Sequence, residues 1–132
     1  MSAIIEALAA EPGCEMVRAG TLDDFLARNP RALVFMTGDI VQRPEGLDVA
    51  VVVRQMLAKY AGRLAVGLLD RRDEGAVMPR LGVVVLPAVA YVRDGTTAEI
   101  VARMRDWPVY TQACERLLAP EGAPTNPVGG NA

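Results

Sequence analysis

The chain of 132 residues contains no histidine. That absence excludes a Ser-His-Asp or Cys-His triad, a histidine general base, and imidazole ligation of zinc or haem. Cysteine is almost as scarce: Cys14 and Cys114 lie 100 positions apart, and neither belongs to a C-x-x-C pair. Local dithiol chemistry and thiolate metal clusters therefore have little support, and no metal or cofactor is expected. Two separate thiols in a reducing compartment is the simpler expectation; a Cys14–Cys114 disulfide would need a proximity that sequence does not reveal. Charge of one sign is also lacking. Fourteen Lys plus Arg stand against 16 Asp plus Glu, a net charge of -2 that argues against a nucleic-acid binder. No apolar run reaches the 18 residues of a membrane span. Residues 1–13 lack a basic region followed by a long apolar core and carry Glu6 and Glu11, so a cytoplasmic address is expected.

What is present suits a globular domain: 52% hydrophobic and 23% charged residues in 132 positions. Such a length buries roughly 68% of the unfolded chain's surface on folding. Residues 1–119 read as one domain. Residues 120–132, rich in Pro, Gly, Asn and Ala, read as a disordered tail.

Along the chain, Ile4, Ile5 and Leu8 repeat at helical spacing until Pro12-Gly13 intervenes. Glu15 to Arg18 suits a brief strand. Thr21 to Asp24 resembles a capping box, with Thr21 as N-cap of a helix carrying Phe25 and Leu26. Leu33 to Met36 is uninterruptedly apolar, as a strand covered on both faces requires. A polar loop, Thr37 to Arg43, leads to Pro44-Glu45, which suits a first helical turn. Val49, Val52, Val53, Met56 and Tyr60 then recur at helical intervals, although Val51-Val52-Val53 locally favours a strand. The length of the pattern decides for helix, ending at Gly62. Leu64 to Leu69 is a second buried strand, Asp70 to Glu74 a charged, exposed loop, and Ala76 to Leu81 a helical turn closed by Gly82. Two apolar stretches flank Pro87. Asp94-Gly95 predicts a two-residue hairpin, Thr97 to Met104 alternate as a strand with one drier face, and Trp107, Tyr110, Cys114 and Leu117 share one face of a last helix, with Asp106 as candidate cap. Strands separated by helices pair in parallel through right-handed crossovers, and the final hairpin is antiparallel. A mixed α/β sheet with helices on both faces follows.

This order, with a proline opening the strand before the hairpin, resembles the thioredoxin fold. The segment Arg80-Leu81-Gly82-Val83-Val84-Val85-Leu86-Pro87-Ala88, followed by Asp94-Gly95, carries the resemblance, which implies a cis bond at Leu86-Pro87. The departure is equally informative. Thioredoxins place C-G-P-C after the first long strand, where this chain reads Thr37-Gly38-Asp39-Ile40-Val41-Gln42-Arg43-Pro44. Without thiolates no mixed disulfide forms there. The thioredoxin buried carboxylate is also missing from the preceding strand, where Val34 and Phe35 stand.

Within such proteins the chain resembles the hydrogenase-1 expression protein family of the HyaE/HupG type. The features are Leu33-Val34-Phe35-Met36-Thr37-Gly38-Asp39 with Pro44-Glu45, the Leu81 to Ala88 segment, and Trp107 opening the last helix. The resemblance spans about residues 15–118. It implies a non-catalytic maturation chaperone for an uptake [NiFe] hydrogenase. The implied partner is the small-subunit precursor with its twin-arginine signal peptide; a second maturation protein and a homodimer stay open. Two other readings also stay open: an oxidoreductase working through a lone thiol, and a structural dimerising subunit.

For peptide binding the candidate residues are Asp39, Ile40, Val41, Glu45, Asp48, Leu86 and Pro87. Backbone near Leu86 and Pro87 would pair with an extended peptide. Asp39, Glu45 and Asp48 would oppose arginines through charge-assisted bonds, and Ile40 and Val41 would meet an apolar segment. The same acids would also stabilise a helix N-terminus without a partner, Ile40 and Val41 would pack inward equally well, and Trp107 suits a core position.

Overall fold

A computed structural model describes residues 2–120. The tail expected at 120–132 therefore lies outside the described residues, apart from Pro120. The elements are α1 (Ala3–Ala9), β1 (Cys14–Val17), α2 (Leu22–Arg28), β2 (Arg31–Met36), α3 (Glu45–Lys59), β3 (Ala65–Leu69), a 3-10 turn (Arg71–Asp73), α4 (Glu74–Leu81), β4 (Ala88–Arg93), β5 (Thr96–Ala102) and α5 (Trp107–Leu118).

The sheet is five-stranded with order β1-β3-β2-β4-β5. β3 pairs in parallel with β1 and β2, whereas β4 runs antiparallel to both β2 and β5. Period-two alternation along β2 sends Leu33 and Phe35 into a core roofed by α1, α3 and α5. Ala32, Val34 and Met36 enter the opposite core, beneath α2 and α4. All five are fully buried, which explains the unbroken apolar run.

On α3 helical period prevails over β-branched preference. Val49, Val53 and Met56 are buried on one stripe while Val51 is turned outward, and burying the stripe outweighs propensity differences of a few tenths of a kcal/mol per valine. Asp94 and Gly95 both adopt positive φ, 51° and 81°, the geometry of the tight hairpin turn that their sequence predicts. The Leu86–Pro87 peptide bond is cis.

Several local expectations are corrected. Thr21 stands at the N-cap of α2, but no side-chain cap bond forms; its hydroxyl turns back to the Arg18 backbone. Asp106 precedes α5 likewise without a side-chain cap bond. The alternation expected through Met104 fails because the β4–β5 register shifts between Tyr91 and Val92, leaving Ala98 without a paired residue. The strand also ends at Ala102, and Arg103 turns to φ 68°. Trp107 opens α5 as expected but lies off its buried stripe of Tyr110, Ala113, Cys114 and Leu117.

Candidate functional site

Three connections meet at one end of the sheet. Met36, the last residue of β2, pairs with Ala88, the first of β4, and Ala88 pairs with Ala102, the last of β5. The segments 37–44, 82–87 and 103–106 are thereby brought together. The Pro87 carbonyl accepts the Arg103 N–H at 2.7 Å. Gly38 adopts φ 70°, and a Cβ there would lie 3.2 Å from Leu86 Cβ, so the first two loops touch. A cleft of about 520 Å³ opens between them, lined by Thr37, Gly38 and Asp39 on one side and by Val84 to Pro87 on the other, with Glu74 and Met78 from α4.

The predicted residues separate. Asp39, Leu86 and Pro87 line this cleft. Asp39 is exposed, and its Oδ1 accepts the N–H groups of Val41 and Gln42 at 3.0 and 3.3 Å, shaping its own loop. Ile40 turns inward onto the α3 side of the core, whereas Val41 is 89% exposed. Asp48 is exposed one helical turn beyond the start of α3.

Glu45 corrects the expectation of three free acids. Its Oε1 accepts Arg103 Nε at 2.8 Å and its Oε2 accepts the Met104 N–H at 2.6 Å. The Arg103 guanidinium and this N–H hold its pKa below the ordinary value. Glu45 is therefore a strut between α3 and the 103–106 loop, because both its oxygens already have donors within the chain.

Glu74 corrects the reading of 70–74 as an exposed loop. It is 6% exposed, and its Oε2 accepts the Gly38 N–H at 3.0 Å. Burial raises its pKa, against the opposing pull of the Gly38 N–H and Arg71. A buried carboxylate thus reaches the 37–44 loop from α4, while β2 itself carries none. A signal for this was available: Glu74, Val77 and Leu81 stand at i, i+3 and i+7, one helical stripe, and all three are buried. Asp70 and Asp73 are also engaged, with Arg72 and Arg18 respectively.

Exposed apolar side chains missed in the sequence stand on this cleft, Val84 and Val85, and in or just after the 103–106 loop at the same end of the sheet, Met104 and Trp107. Val84 is 86% exposed and Val85 41%, because the segment before Pro87 is a loop instead of a strand; Met104 is 42% and Trp107 38% exposed. The thiols lie elsewhere. Cys14 begins β1, at the other end of the sheet, and Cys114 is buried in α5. Burial pushes them up to about 11 and about 12 respectively. Both are free, so no disulfide joins them. Among the described residues no helix is long and apolar enough to cross a membrane.

A solved structure of a mutant thioredoxin from Halobacterium salinarum NRC-1 matches with a TM-score of 0.69 at 20% identity, covering 81% of this chain and 92% of its own. That likeness establishes the thioredoxin-like fold. A crystal structure assigned to the hydrogenase expression/formation protein hupG of Rhodopseudomonas palustris CGA009 matches with a TM-score of 0.58 at 33% identity, covering 83% of this chain and 98% of that one. The hydrogenase expression/formation protein HupG of Bradyrhizobium diazoefficiens is 36% identical over 110 residues, 80% of this chain and 74% of that protein. HoxO of Cupriavidus necator, also a hydrogenase expression/formation protein, is 32% identical over 118 residues, 88% of this chain and 73% of its own. The family model described as hydrogenase-1 expression protein HyaE matches residues 4–110. With the fold, the altered loop and these relatives in agreement, the chain belongs to the hydrogenase-1 expression protein HyaE family.

Proposed function

We propose that this protein serves hydrogenase maturation as a non-catalytic chaperone. Its docking surface is the cleft end of the sheet, and its partner is the cytoplasmic small-subunit precursor, held through its twin-arginine signal peptide. The observation that carries this reading is the exposure of Val84 and Val85, 86% and 41%, on the wall of the cleft, at the same end of the sheet as the loops that carry the exposed Val41 and Met104. Water-exposed apolar side chains scattered singly need no explanation, but a cluster of them marks a surface that a partner covers. Aromatic, Met and Arg side chains are the types enriched in such interfaces. Family membership supplies the hydrogenase context, since the relatives bear that role in their names. The absence of a thiol from residues 37–44, and the seating of both cysteines away from the cleft, support binding over dithiol exchange.

Trp107 is the sole tryptophan and opens α5 directly after the 103–106 loop, so its fluorescence reports on that end of the sheet. Titration with the cognate small-subunit signal peptide is expected to shift that emission in a saturable manner. Val84→Glu changes an 86% exposed side chain and so leaves the fold intact, yet is expected to weaken binding about tenfold, the loss of one apolar contact plus a buried charge. A calorimetric titration without heat, or identical affinity for Val84→Glu, would overturn the assignment of this surface.

A further inference from the structure

Glu74 stands out among the acids that the docking surface does not yet use. Thr37 and Glu74 are the buried polar or charged side chains among the described residues, and they are neighbours. The Glu74 side chain is 7% exposed. Its Oε2 is engaged by Gly38. Its Oε1 has Arg71 Nη1 at 3.9 Å, beyond hydrogen-bond length. An ionised carboxylate offers about four acceptor sites; the Gly38 and Thr37 backbone N–H groups draw on this one, and Oε1, with Arg71 only at ion-pair distance, keeps capacity for a further donor.

A purely structural latch between α4 and the 37–44 loop does not require this charge. A glutamine would accept the Gly38 N–H equally well without the cost of desolvating an ion. The carboxylate is instead placed on the wall of a cleft whose other acid, Asp39, is near enough to raise its pKa by repulsion. Arg43 and Arg71 line the same cleft and face these acids in the unbound protein, Arg71 at a distance of 3.9 Å from Oε1, so the site already holds a cation loosely and a better-placed one can take over. The other walls decide which cation fits. Met78, Val84, Val85 and Leu86 are apolar and suit a flat, weakly hydrated guanidinium on a methylene stem better than a strongly hydrated ammonium.

Resting on the docking surface proposed above, we infer that Glu74 is its specificity-determining residue: Oε1 accepts a charge-assisted hydrogen bond from an arginine side chain of the docked chain, with Asp39 as the second acceptor at the mouth. The guanidinium's planar fork has donors enough for both acids. The charged groups that face Glu74 are Arg71 from the 3-10 turn and Asp39 and Arg43 from the 37–44 loop; the segment Val84 to Pro87 contributes none. Arg71 is half-exposed and yields its place to the incoming cation without unfolding anything.

The test compares the signal peptide with versions in which each arginine is replaced by neutral, nearly isosteric citrulline. Wild-type protein is expected to bind one citrulline version about tenfold or more weakly, the loss of a hydrogen bond between ions. In Glu74→Gln that discrimination disappears, while its melting temperature does not fall because Gln still serves Gly38. Wild-type affinity also declines as pH is lowered through the titration of Glu74, and the decline is absent from Glu74→Gln; Asp39→Asn reports the smaller share of the second acid. Equal binding of all peptides by the wild type, or discrimination retained in Glu74→Gln, overturns the role of Glu74 while leaving the docking surface standing. Failure of the wild type to bind any of these peptides overturns both.

Discussion

Gly46, in the first turn of α3, lies so close to the 37–44 loop that a Cβ added there would sit 2.4 Å from the Thr37 carbonyl oxygen and 3.2 Å from Ile40 Cγ2. An ordinary carbon–oxygen approach is about 3.3 Å, so Gly46→Ala obliges the carbonyl to retreat by about 0.9 Å. Thr37 has little room to do so. It is buried, its hydroxyl donates to the Gly38 carbonyl at 2.9 Å, and Gly38 is held by Glu74 and abuts Leu86. Overpacking of this kind costs about 1–3 kcal/mol, and the better helix propensity of alanine returns about 0.5–1 kcal/mol. With the carbonyl held this firmly the overpacking cost lies in the upper half of that range, about 2–3 kcal/mol, and the net loss is about 1–2.5 kcal/mol. For a domain of this size 1 kcal/mol moves Tm by about 4 °C, so the variant should melt about 4–10 °C below wild type by circular dichroism. Gly75→Ala is the internal control. It lies in the first turn of α4 with nothing within 4 Å of the added methyl, and the same substitution there should raise Tm by about 2–4 °C. A Gly46→Ala protein as stable as wild type, or two variants that shift in the same direction, would refute the close-approach argument.

Other expectations follow from the core and the titrating groups. Tyr91→Phe removes a buried hydroxyl that donates to the Tyr110 carbonyl at 3.0 Å, and should lower the urea midpoint by the equivalent of about 1 kcal/mol without altering the slope. An unchanged midpoint would show that this bond adds nothing net. Because burial raises Glu74 in the folded state, its contribution is complete below the unfolded carboxyl range and is lost as pH rises through the folded pKa. Urea unfolding at about pH 4 and about pH 7 should therefore show Glu74→Gln gaining on wild type at the higher pH, and a reversed or flat difference would contradict the burial of that charge. Glu45, held low by Arg103 and the Met104 N–H, has the opposite sign: its contribution is present above the unfolded value and lost as pH falls through the folded pKa. The thiols, pushed up to about 11 and about 12, should resist alkylation at neutral pH, with Cys114 labelled only on unfolding, and the protein should not reduce insulin. Rapid labelling of native Cys114, or robust insulin turnover, would defeat the non-catalytic reading.

Much of the architecture was legible in the residues because it rests on local rules. The unbroken apolar run of β2, the helical period beneath Val51-Val52-Val53 and the Asp94-Gly95 turn each follow from burial, periodicity or allowed φ, and each is found where expected. The misses have one cause in common. Thr21 and Asp106 have suitable types and positions for caps, yet hydrogen bonding of Thr21 to Arg18 and the path of the chain before α5 decide otherwise. A one-residue register irregularity between β4 and β5 defeated a sound alternation. Asp39, Glu45 and Asp48 look equivalent in sequence, but only tertiary structure supplies Arg103 from 58 positions away to occupy Glu45.

The sequence by itself determined what this protein lacks chemically, since no fold can create a histidine or bring a dithiol to residues 37–44 that contain no cysteine. It also determined the α/β order, because hydrophobic period is a property of neighbours along the chain. Tertiary structure alone decided which acids are free and which are spent. It seated Glu74 behind Gly38, tied Glu45 to Arg103, and turned Val84 outward beside Asp39. Partners in these contacts are separated by tens of residues, and burial and electrostatic pairing depend on distances in space, which the order of residues along the chain does not encode locally.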